Sequence, residues 1–151
     1  MVCFRRLVLG GTFETLHKGH KELLSLAFSL SEKVSIGLST DDFAAERGKK
    51  ASPYDKRAKR LQELLVTWGF SNRFEIVPIS DPIGPALGEF DAILVSQETE
   101  TGADLVNSAR ISAGKKPLVK IVMPMVLAED KIPISSSRIQ AGEIDEEGNK
   151  I

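Results

Sequence analysis

"FRRLVLGGTFETLHKGHKELLSLAFSLS", residues 4–31, contains a short β-rich run, a glycine pair, a loop and a helical pattern, in that order. The loop and the first turn of the helix carry His17 and His20, the two histidines of the whole chain. The helical pattern shows a single apolar stripe formed by Leu23, Leu24, Ala27 and Leu30. This stretch therefore predicts a strand that leads through a loop into an amphipathic helix.

The same alternation continues to the end of the chain. Further β-rich runs lie at 33–39, 73–79, 91–96 and 117–123, and helical patterns lie between or after them. Ser52 and Pro53 indicate the start of one helix, and Gly69, Gly114 and Gly142 indicate where helices end. Strand–helix alternation predicts the α/β class: a single Rossmann-like, doubly wound domain over 1–151, with a five-stranded parallel sheet. Residues from about 143 to 151, which include DEEGNK, are expected to form a solvated tail.

Composition limits the classes of function. The chain has 151 residues, 42% of them hydrophobic, as expected for one compact domain. Its 20 Lys and Arg against 21 Asp and Glu leave no charge excess that favours nucleic acid or membrane binding. Cys3 is the single cysteine, so no intrachain disulfide can form and a reducing compartment is expected. The opening apolar run is too short for a signal peptide, and we predict a soluble cytoplasmic protein.

The loop after the first run is the first candidate site. In open parallel sheets, ligands bind beyond the carboxyl ends of the strands. Gly10 and Gly11 end the first strand and allow a ligand to approach the backbone closely. The following helix begins near Lys18, and the amino end of a helix favours phosphate. His17, Lys18 and His20 would add donors around the same anion.

Two other interpretations of the histidines remain open at this point. A zinc site would need a third protein ligand, for which Glu14 or Glu22 could serve. Alternatively, His17 merely caps the helix and His20 packs within it. A phosphate site is favoured over both because of its position after the first strand.

A second cluster lies in PISSSRIQAG, residues 133–142. Ser135, Ser136 and Ser137 stand at the start of the last short helix, with Arg138 in its first turn. One serine is enough to cap a helix, so three serines and an arginine also suit a second anion site. Two anion sites in one small domain predict a polyphosphate ligand, such as a nucleoside triphosphate.

These motifs resemble those of known enzymes. GTFETLHKGH and ISSSRI resemble the H-x-G-H and I-S-S-S/T signatures of the nucleotidyltransferase superfamily. VSQETETGADLVNSARISAGKKPL, residues 95–118, is similar to a pattern of the phosphopantetheine adenylyltransferase family, in its archaeal and eukaryotic branch. GLSTDDF and SPYDKRAKRL also fit that branch, so the resemblance covers nearly the whole chain. The fold that it implies is a five-stranded parallel sheet like that of dinucleotide-binding domains.

The resemblance implies an activity. ATP and phosphopantetheine would give dephospho-coenzyme A and pyrophosphate, a step of coenzyme A biosynthesis, by direct in-line attack of the substrate phosphate on the ATP α-phosphate. Mg²⁺ would accompany ATP, with no protein ligand to the metal assigned. The nearest alternative is a sibling adenylyl- or cytidylyltransferase acting on nicotinamide mononucleotide, flavin mononucleotide or glycerol phosphate. A non-catalytic nucleotide-binding module is a third possibility.

Roles follow by motif position. The resemblance implies that His20 stabilises the α-phosphate during transfer and that His17 holds the triphosphate. Lys49 or Lys50 is the candidate for the phosphopantetheine phosphate. The expected ATP-binding residues are Gly10, Gly11, Thr12, Phe13, Glu98, Thr99, Asn107, Arg110, Ser135, Ser136, Ser137 and Arg138.

One position departs from the pattern of the family. Relatives tend to carry a basic residue where this chain has Gln140, whereas the arginine here is Arg138. Two positions along a helix are separated by roughly 200° around its axis, so the two side chains cannot both face one ligand.

Overall fold

The computed structural model describes residues 2–151. Strands and helices follow one another as β1 (Phe4–Gly11), α1 (Lys18–Leu30), β2 (Ser31–Ser39), α2 (Asp41–Glu46), α3 (Tyr54–Thr67), β3 (Phe74–Ile79), β4 (Ala92–Ser96), α4 (Glu100–Ser112), β5 (Val119–Met123) and α5 (Ser136–Gln140). Short 3₁₀ turns lie at Gly84–Leu87 and Gln97–Thr99. The five predicted strands are all present, and the helices predicted around them are α1, α3, α4 and α5.

The strands form one sheet in the order β3-β2-β1-β4-β5, with every neighbouring pair parallel. From β1 the chain builds outward through β2 to β3, and it then returns to place β4 on the other side of β1. The order therefore reverses between β1 and β4, and a crevice is expected at their carboxyl ends. Gly11 ends β1 and Ser96 ends β4, so both lie at this crevice.

Both faces of the sheet are covered. Leu7 and Leu9 of β1 pack on one face with Leu24 of α1 and Leu61 of α3. Their neighbour Val8 points to the opposite face and packs in a second cluster with residues of α4. Side chains alternate between the faces of a strand, so a buried strand with helices on both sides is apolar throughout. The predicted Rossmann-like α/β fold is confirmed.

Local signals place most helix ends. Gly69 follows α3 with φ of 86°, a conformation that favours glycine, and it ends the helix where predicted. The short helix α2 is an addition to the predicted elements. Thr40 caps it, because its hydroxyl oxygen accepts a hydrogen bond from the backbone N–H of Phe43 at 3.2 Å. None of the helices described between residues 2 and 151 is both long and apolar enough to span a membrane.

The expectation of a solvated tail over about 143–151 is wrong. Ile144 is completely buried in a small cluster with Ala128 and Ile134. The backbone oxygen of Glu146 accepts a 2.8 Å hydrogen bond from the N–H of Lys18, at the start of α1. The burial of Ile144 acts together with hydrogen bonds between Glu129 and both Gly148 and Lys150 to hold the segment on the domain.

Candidate active site

A cavity of about 740 Å³ opens at the carboxyl ends of β1 and β4, at the crevice that the strand order predicts. Five separate segments contribute to it: the β1–α1 loop, the loop after α2, the turn after β4, the end of β5 with the residues that follow it, and the start of α5. Among the residues predicted from the sequence, those that line the cavity are Gly10, Gly11, Thr12, Phe13, His17, His20, Lys49, Lys50, Glu98, Thr99, Ser135, Ser136 and Ser137. Tertiary folding thus brings both motifs of the sequence to one site.

The two histidines lie against each other in the cavity wall. Their rings stack with centroids 3.8 Å apart. His17 is the N-cap of α1, where its Nδ1 accepts a hydrogen bond from the backbone N–H of His20 at 3.3 Å. Nδ1 of His20 lies 2.6 Å from the backbone oxygen of Thr15, so this nitrogen donates and Nε2 is left for a ligand. The capping interpretation of His17 is therefore correct, and it is compatible with a position in the cavity.

Both imidazoles are neutral near pH 7. Burial lowers the pKa of His17 to about 4, with a further contribution from the positive charge of Lys49. Burial also lowers the pKa of His20 to about 3, assisted by His17 and Lys49 and opposed by the hydrogen bond to Thr15. An anion in the cavity would act in the opposite direction, because negative charge nearby favours the imidazolium form.

The glycines of the loop make room for ring packing. A Cβ on Gly11 would stand 2.9 Å from Cε2 of Phe13, and a Cβ on Gly19 would stand 2.9 Å from Cε1 of His17. Phe13 has φ of 50°, which is uncommon for a residue other than glycine, and its ring lies 4.9 Å from that of His20. The loop conformation therefore depends on missing side chains at two positions.

The serine cluster, Ser135–Ser137, lines the same cavity as the histidines. Ser135 caps α5, because its hydroxyl oxygen accepts a 3.2 Å hydrogen bond from the backbone N–H of Arg138. Ser136 and Ser137 also line the cavity, and so does Gln140. Gln140 was not among the predicted ATP-binding residues.

Arg138, which was predicted to bind ATP, is not among the residues that line this cavity. Its guanidinium donates to the carboxylate of Asp130 and to the backbone oxygens of Ile132 and Pro133, and its Nε lies 3.4 Å from a carboxylate oxygen of Glu143. The hydrogen bond from Arg138 holds the pKa of Asp130 below its usual range. The two acidic partners hold the arginine away from the cavity. Their contacts with it join α5 to the segments before and after it.

Asn107 and Arg110, which were also predicted to bind ATP, make hydrogen bonds within the protein and do not line this cavity. The side-chain amide of Asn107 donates to the backbone oxygen of Leu118 at 3.1 Å and accepts from its N–H at 2.8 Å. Arg110 is buried and donates to the backbone oxygens of Lys116, Ala86 and Gly88. Both residues fasten α4 to the chain around it, and neither reaches the cavity.

The turn after β4 supplies Glu98 and Thr99. The Thr99 hydroxyl accepts from the backbone N–H of Ser96 at 3.1 Å, so it shapes the turn as well as lining the cavity. Glu98 belongs to the same turn and also lines the cavity. The turn thus brings acceptor groups to the cavity.

The basic loop, residues 47–52, borders the cavity through Arg47, Gly48, Lys49 and Lys50. Its lysines are exposed, but the loop is tied to the β1–α1 loop at its far end. The carboxylate of Glu14 accepts hydrogen bonds from the backbone N–H of Ser52 at 2.6 Å and from its hydroxyl at 2.7 Å. This use of Glu14 argues against its role as a metal ligand beside the histidines, and residues 2–151 contain no group of three or more His, Cys, Asp or Glu that could hold a metal.

Sequence reasoning missed Arg57, which lies directly beneath the loops. Its side chain is completely buried and donates to Thr12, Ser39, Asp41 and Ser52. A signal was present: Arg57 precedes Leu61 by four residues, so it falls on the apolar stripe of α3, where a charge needs partners. The apolar wall formed by Leu23, Met123, Met125 and Val126 was missed as well.

Comparison with known proteins agrees with this geometry. The family described as Cytidylyltransferase-like matches residues 8–142. A phosphopantetheine adenylyltransferase of Methanopyrus kandleri is 46% identical over 95% of this chain and 92% of its own length. One from Pyrococcus abyssi is 43% identical over 100% of this chain and 98% of its own length.

A solved structure agrees in fold as well. It is a protein of unknown function from Archaeoglobus fulgidus, with a TM-score of 0.73 and 30% identity, over 86% of this chain and 99% of its own. The relatives, which match over nearly the whole of both chains, and the family match indicate the same family. The chain belongs to the phosphopantetheine adenylyltransferase family, within the Cytidylyltransferase-like proteins.

Proposed function

We propose that this protein transfers AMP from ATP to phosphopantetheine, releasing pyrophosphate and forming dephospho-coenzyme A in the cytoplasm. The observation that carries the proposal is the convergence of His17 and His20 with the serine cluster and the basic loop on a single cavity. The cavity has donors for two anions and an apolar wall beside them. The names of the relatives supply the identity of the two substrates.

The acceptor needs no general base. A phosphate monoester is largely dianionic near neutral pH, because its second pKa is about 6. The work of the protein is then to hold two anions in line and to stabilise the charge that develops on the α-phosphate and the leaving pyrophosphate. Neither a covalent intermediate nor a nucleophilic side chain is required.

His20 is the residue proposed to act on the α-phosphate. Its Nδ1 is engaged by Thr15, which orients the ring and leaves Nε2 for a phosphate oxygen. Nε2 can donate there only if the ring is protonated, and the triphosphate itself supplies the charge that favours protonation. His17 is held by its capping bond and would donate to the same triphosphate.

The serine hydroxyls of Ser136 and Ser137 are proposed to bind the β- and γ-phosphates, with Gln140 beside them. Lys49 and Lys50 are proposed to hold the phosphate of the acceptor. Magnesium fits this site as an ion carried by the triphosphate and completed largely by water, since the cavity carboxylate nearest the histidines in the chain, Glu14, is occupied by Ser52. When bound, it would neutralise charge on the leaving pyrophosphate.

The test is pyrophosphate release measured against a panel of acceptors. The panel contains phosphopantetheine, nicotinamide mononucleotide, flavin mononucleotide and glycerol phosphate, each with ATP or CTP and with or without Mg²⁺. We expect turnover with phosphopantetheine and ATP that depends on Mg²⁺. Turnover with another acceptor alone would retain the nucleotidyltransferase chemistry and reject the substrate, and no turnover at all would favour a binding module.

A further inference from the structure

Arg57 connects four segments of the chain around the cavity. Its Nε donates to the backbone oxygen of Ser52 at 2.7 Å, and one terminal nitrogen donates to the oxygens of Thr12 at 3.0 Å and Ser39 at 2.8 Å. The other terminal nitrogen donates to the carboxylate of Asp41 at 2.8 Å. These acceptors belong to the β1–α1 loop, the end of β2, the start of α2 and the end of the basic loop.

The burial of this arginine requires hydrogen-bond acceptors at well-defined positions around its guanidinium group. Its side chain is 0% exposed, whereas that of its only acidic partner, Asp41, is 59% exposed. A buried guanidinium is tolerated only when its donors are met by well-placed acceptors. Two of the four acceptors are backbone oxygens of the loops that border the cavity, Thr12 in one and Ser52 in the other, so the position of each loop depends on the other.

Glu14 and Ser52 make a second link between the same two loops. The carboxylate of Glu14 receives both the N–H and the hydroxyl of Ser52, in a two-point contact that fixes orientation as well as distance. At its other end the basic loop continues from α2, where the backbone N–H groups of Gly48 and Lys49 donate to carbonyl oxygens of that helix. The side chains of residues 46–50 are exposed. The Glu14–Ser52 link therefore fixes the second end of the segment that carries Lys49 and Lys50.

We propose that Arg57, together with the Glu14–Ser52 contact, forms a loop anchor that sets the basic loop against the β1–α1 loop. The loop anchor holds Lys49 and Lys50 at the acceptor side of the cavity, over the histidines. Arg57 and Glu14 are positioning residues that act through the lysines. This inference rests on the proposed function for its kinetic consequence, but not for its structural one.

The structural consequence can be read from the histidines. The chain contains two histidines, both in this cavity, so imidazole Cε1–H cross-peaks in a ¹H–¹³C NMR spectrum report on the site without crowding. Lys49 is close enough to lower the pKa of both rings. In Glu14→Ala, we expect both cross-peaks to shift at pH 7, and the pKa of each ring to rise as Lys49 moves away. Ser52→Ala, which keeps the backbone bond, should produce a smaller shift in the same direction.

The direction in which the acceptor KM changes distinguishes the loop anchor from a purely electrostatic effect of Glu14. If Glu14 acted only through its negative charge, removing that charge from an anion site would strengthen the binding of the acceptor and lower its KM. Loss of the loop anchor misplaces the lysines and should raise the KM for phosphopantetheine by about tenfold, as for losing hydrogen bonds to a charged group. The KM for ATP should stay within about twofold of the native value, since the serine cluster is untouched.

Matched controls are available close to both test residues in the chain. Glu22→Ala removes an exposed acid from α1, and Arg60→Lys replaces an exposed arginine on α3, next to the conservative test variant Arg57→Lys. We expect the controls to behave like the native protein. Arg57→Lys keeps the charge but not the fork of donors, and should give the NMR shifts and the raised acceptor KM of Glu14→Ala.

The outcomes are decisive without Arg57→Lys, should that variant fail to fold. Unchanged histidine cross-peaks in Glu14→Ala, or an unchanged or lowered acceptor KM, would overturn the loop anchor, whatever happens to thermal stability. If the native protein fails to turn over phosphopantetheine, the proposed function falls, and the NMR shifts of the substrate-free variants still decide whether the loop anchor exists.

Discussion

The imidazole rings of His17 and His20 are stacked, with planes inclined by only 15° and centroids 3.8 Å apart. Two positive charges at this separation would repel strongly, and His17 contributes to the lowered pKa of His20. The pair is therefore stable as two neutral rings in the empty cavity. Protonating the pair costs free energy, and the negative charge of a bound polyanion can offset that cost.

Nucleotide binding is expected to take up protons. In the free protein the two pKa values, about 4 and about 3, leave both rings neutral at pH 6.5, and the triphosphate raises them toward that pH. ATP affinity should then increase as the pH falls from 8 to 6. Titration calorimetry at pH 6.5 in two buffers of different ionisation enthalpy measures the uptake. His20→Ala should lose part of it, and equal proton uptake in the native protein and the variant would contradict this assignment.

Stability should decline with acidification through the same groups. Each histidine has a reference pKa of 6.5 in the unfolded chain and a lower pKa in the folded protein, so below pH 6.5 the unfolded state binds the extra protons. The free energy of unfolding should therefore fall between pH 6.5 and 4, by up to about 1.4 kcal/mol per pH unit for each histidine. Urea unfolding at pH 7 and pH 5 measures it. A His17→Asn/His20→Gln double variant should show a shallower decline, and an equally steep one would assign the effect to other groups.

Two substitutions of His17 separate its capping role from its ligand role. His17→Asn retains a good N-cap for α1 but removes the imidazole, whereas His17→Ala removes both. We expect both variants to raise the KM for ATP to a similar extent. Only His17→Ala should lower the free energy of unfolding, by about 1 kcal/mol. If His17→Asn has native ATP kinetics, the residue is a cap and nothing more.

Gln140→Arg should improve ATP binding. Gln140 lines the cavity without charge, and a charge-assisted hydrogen bond is roughly twice as strong as a neutral one. The KM for ATP should fall by up to about tenfold. Arg138→Ala is the matched comparison: its loss of the Asp130 and Glu143 contacts should lower the melting temperature and leave the KM for ATP unchanged. A large rise in the KM for ATP in Arg138→Ala would show that the arginine takes part in ATP binding.

Gly19→Ala should damage the site more than the fold. The added Cβ would stand 2.9 Å from Cε1 and 3.1 Å from Nδ1 of His17, so the ring must shift from its position against His20. We expect a marked loss of turnover and a shift of both histidine NMR signals. Gly102→Ala is the control, because its Cβ would meet nothing within 4 Å and alanine stabilises a helix by up to about 1 kcal/mol. Native histidine signals in Gly19→Ala would show that the stack does not depend on this glycine.

Local periodicity was enough to predict the fold. The apolar run of β1 and the stripe of α1 differ in period, and glycine with positive φ ends α3 where the stripe ends. These properties act over a few neighbouring residues, so they are legible in a single sequence. The motif at His17–His20 and the one at Ser135–Ser137 are distant in sequence, and it was their resemblance to a known family, combined with the end of the first strand, that placed them at one site.

Side-chain partners across long sequence separations were decided by the tertiary structure alone. Asn107 and Arg110 match the family pattern, yet their hydrogen bonds go to backbone oxygens of other segments, and no local spacing distinguishes that use from ligand binding. Arg138 and Gln140 are two residues apart on α5, and the acidic partners Asp130 and Glu143 determine which of them faces the cavity. The sequence thus determined which elements form and where they end, through period and backbone conformation. The fold decided which polar side chains are left for a ligand, because a donor already bonded within the protein is not free to bind one.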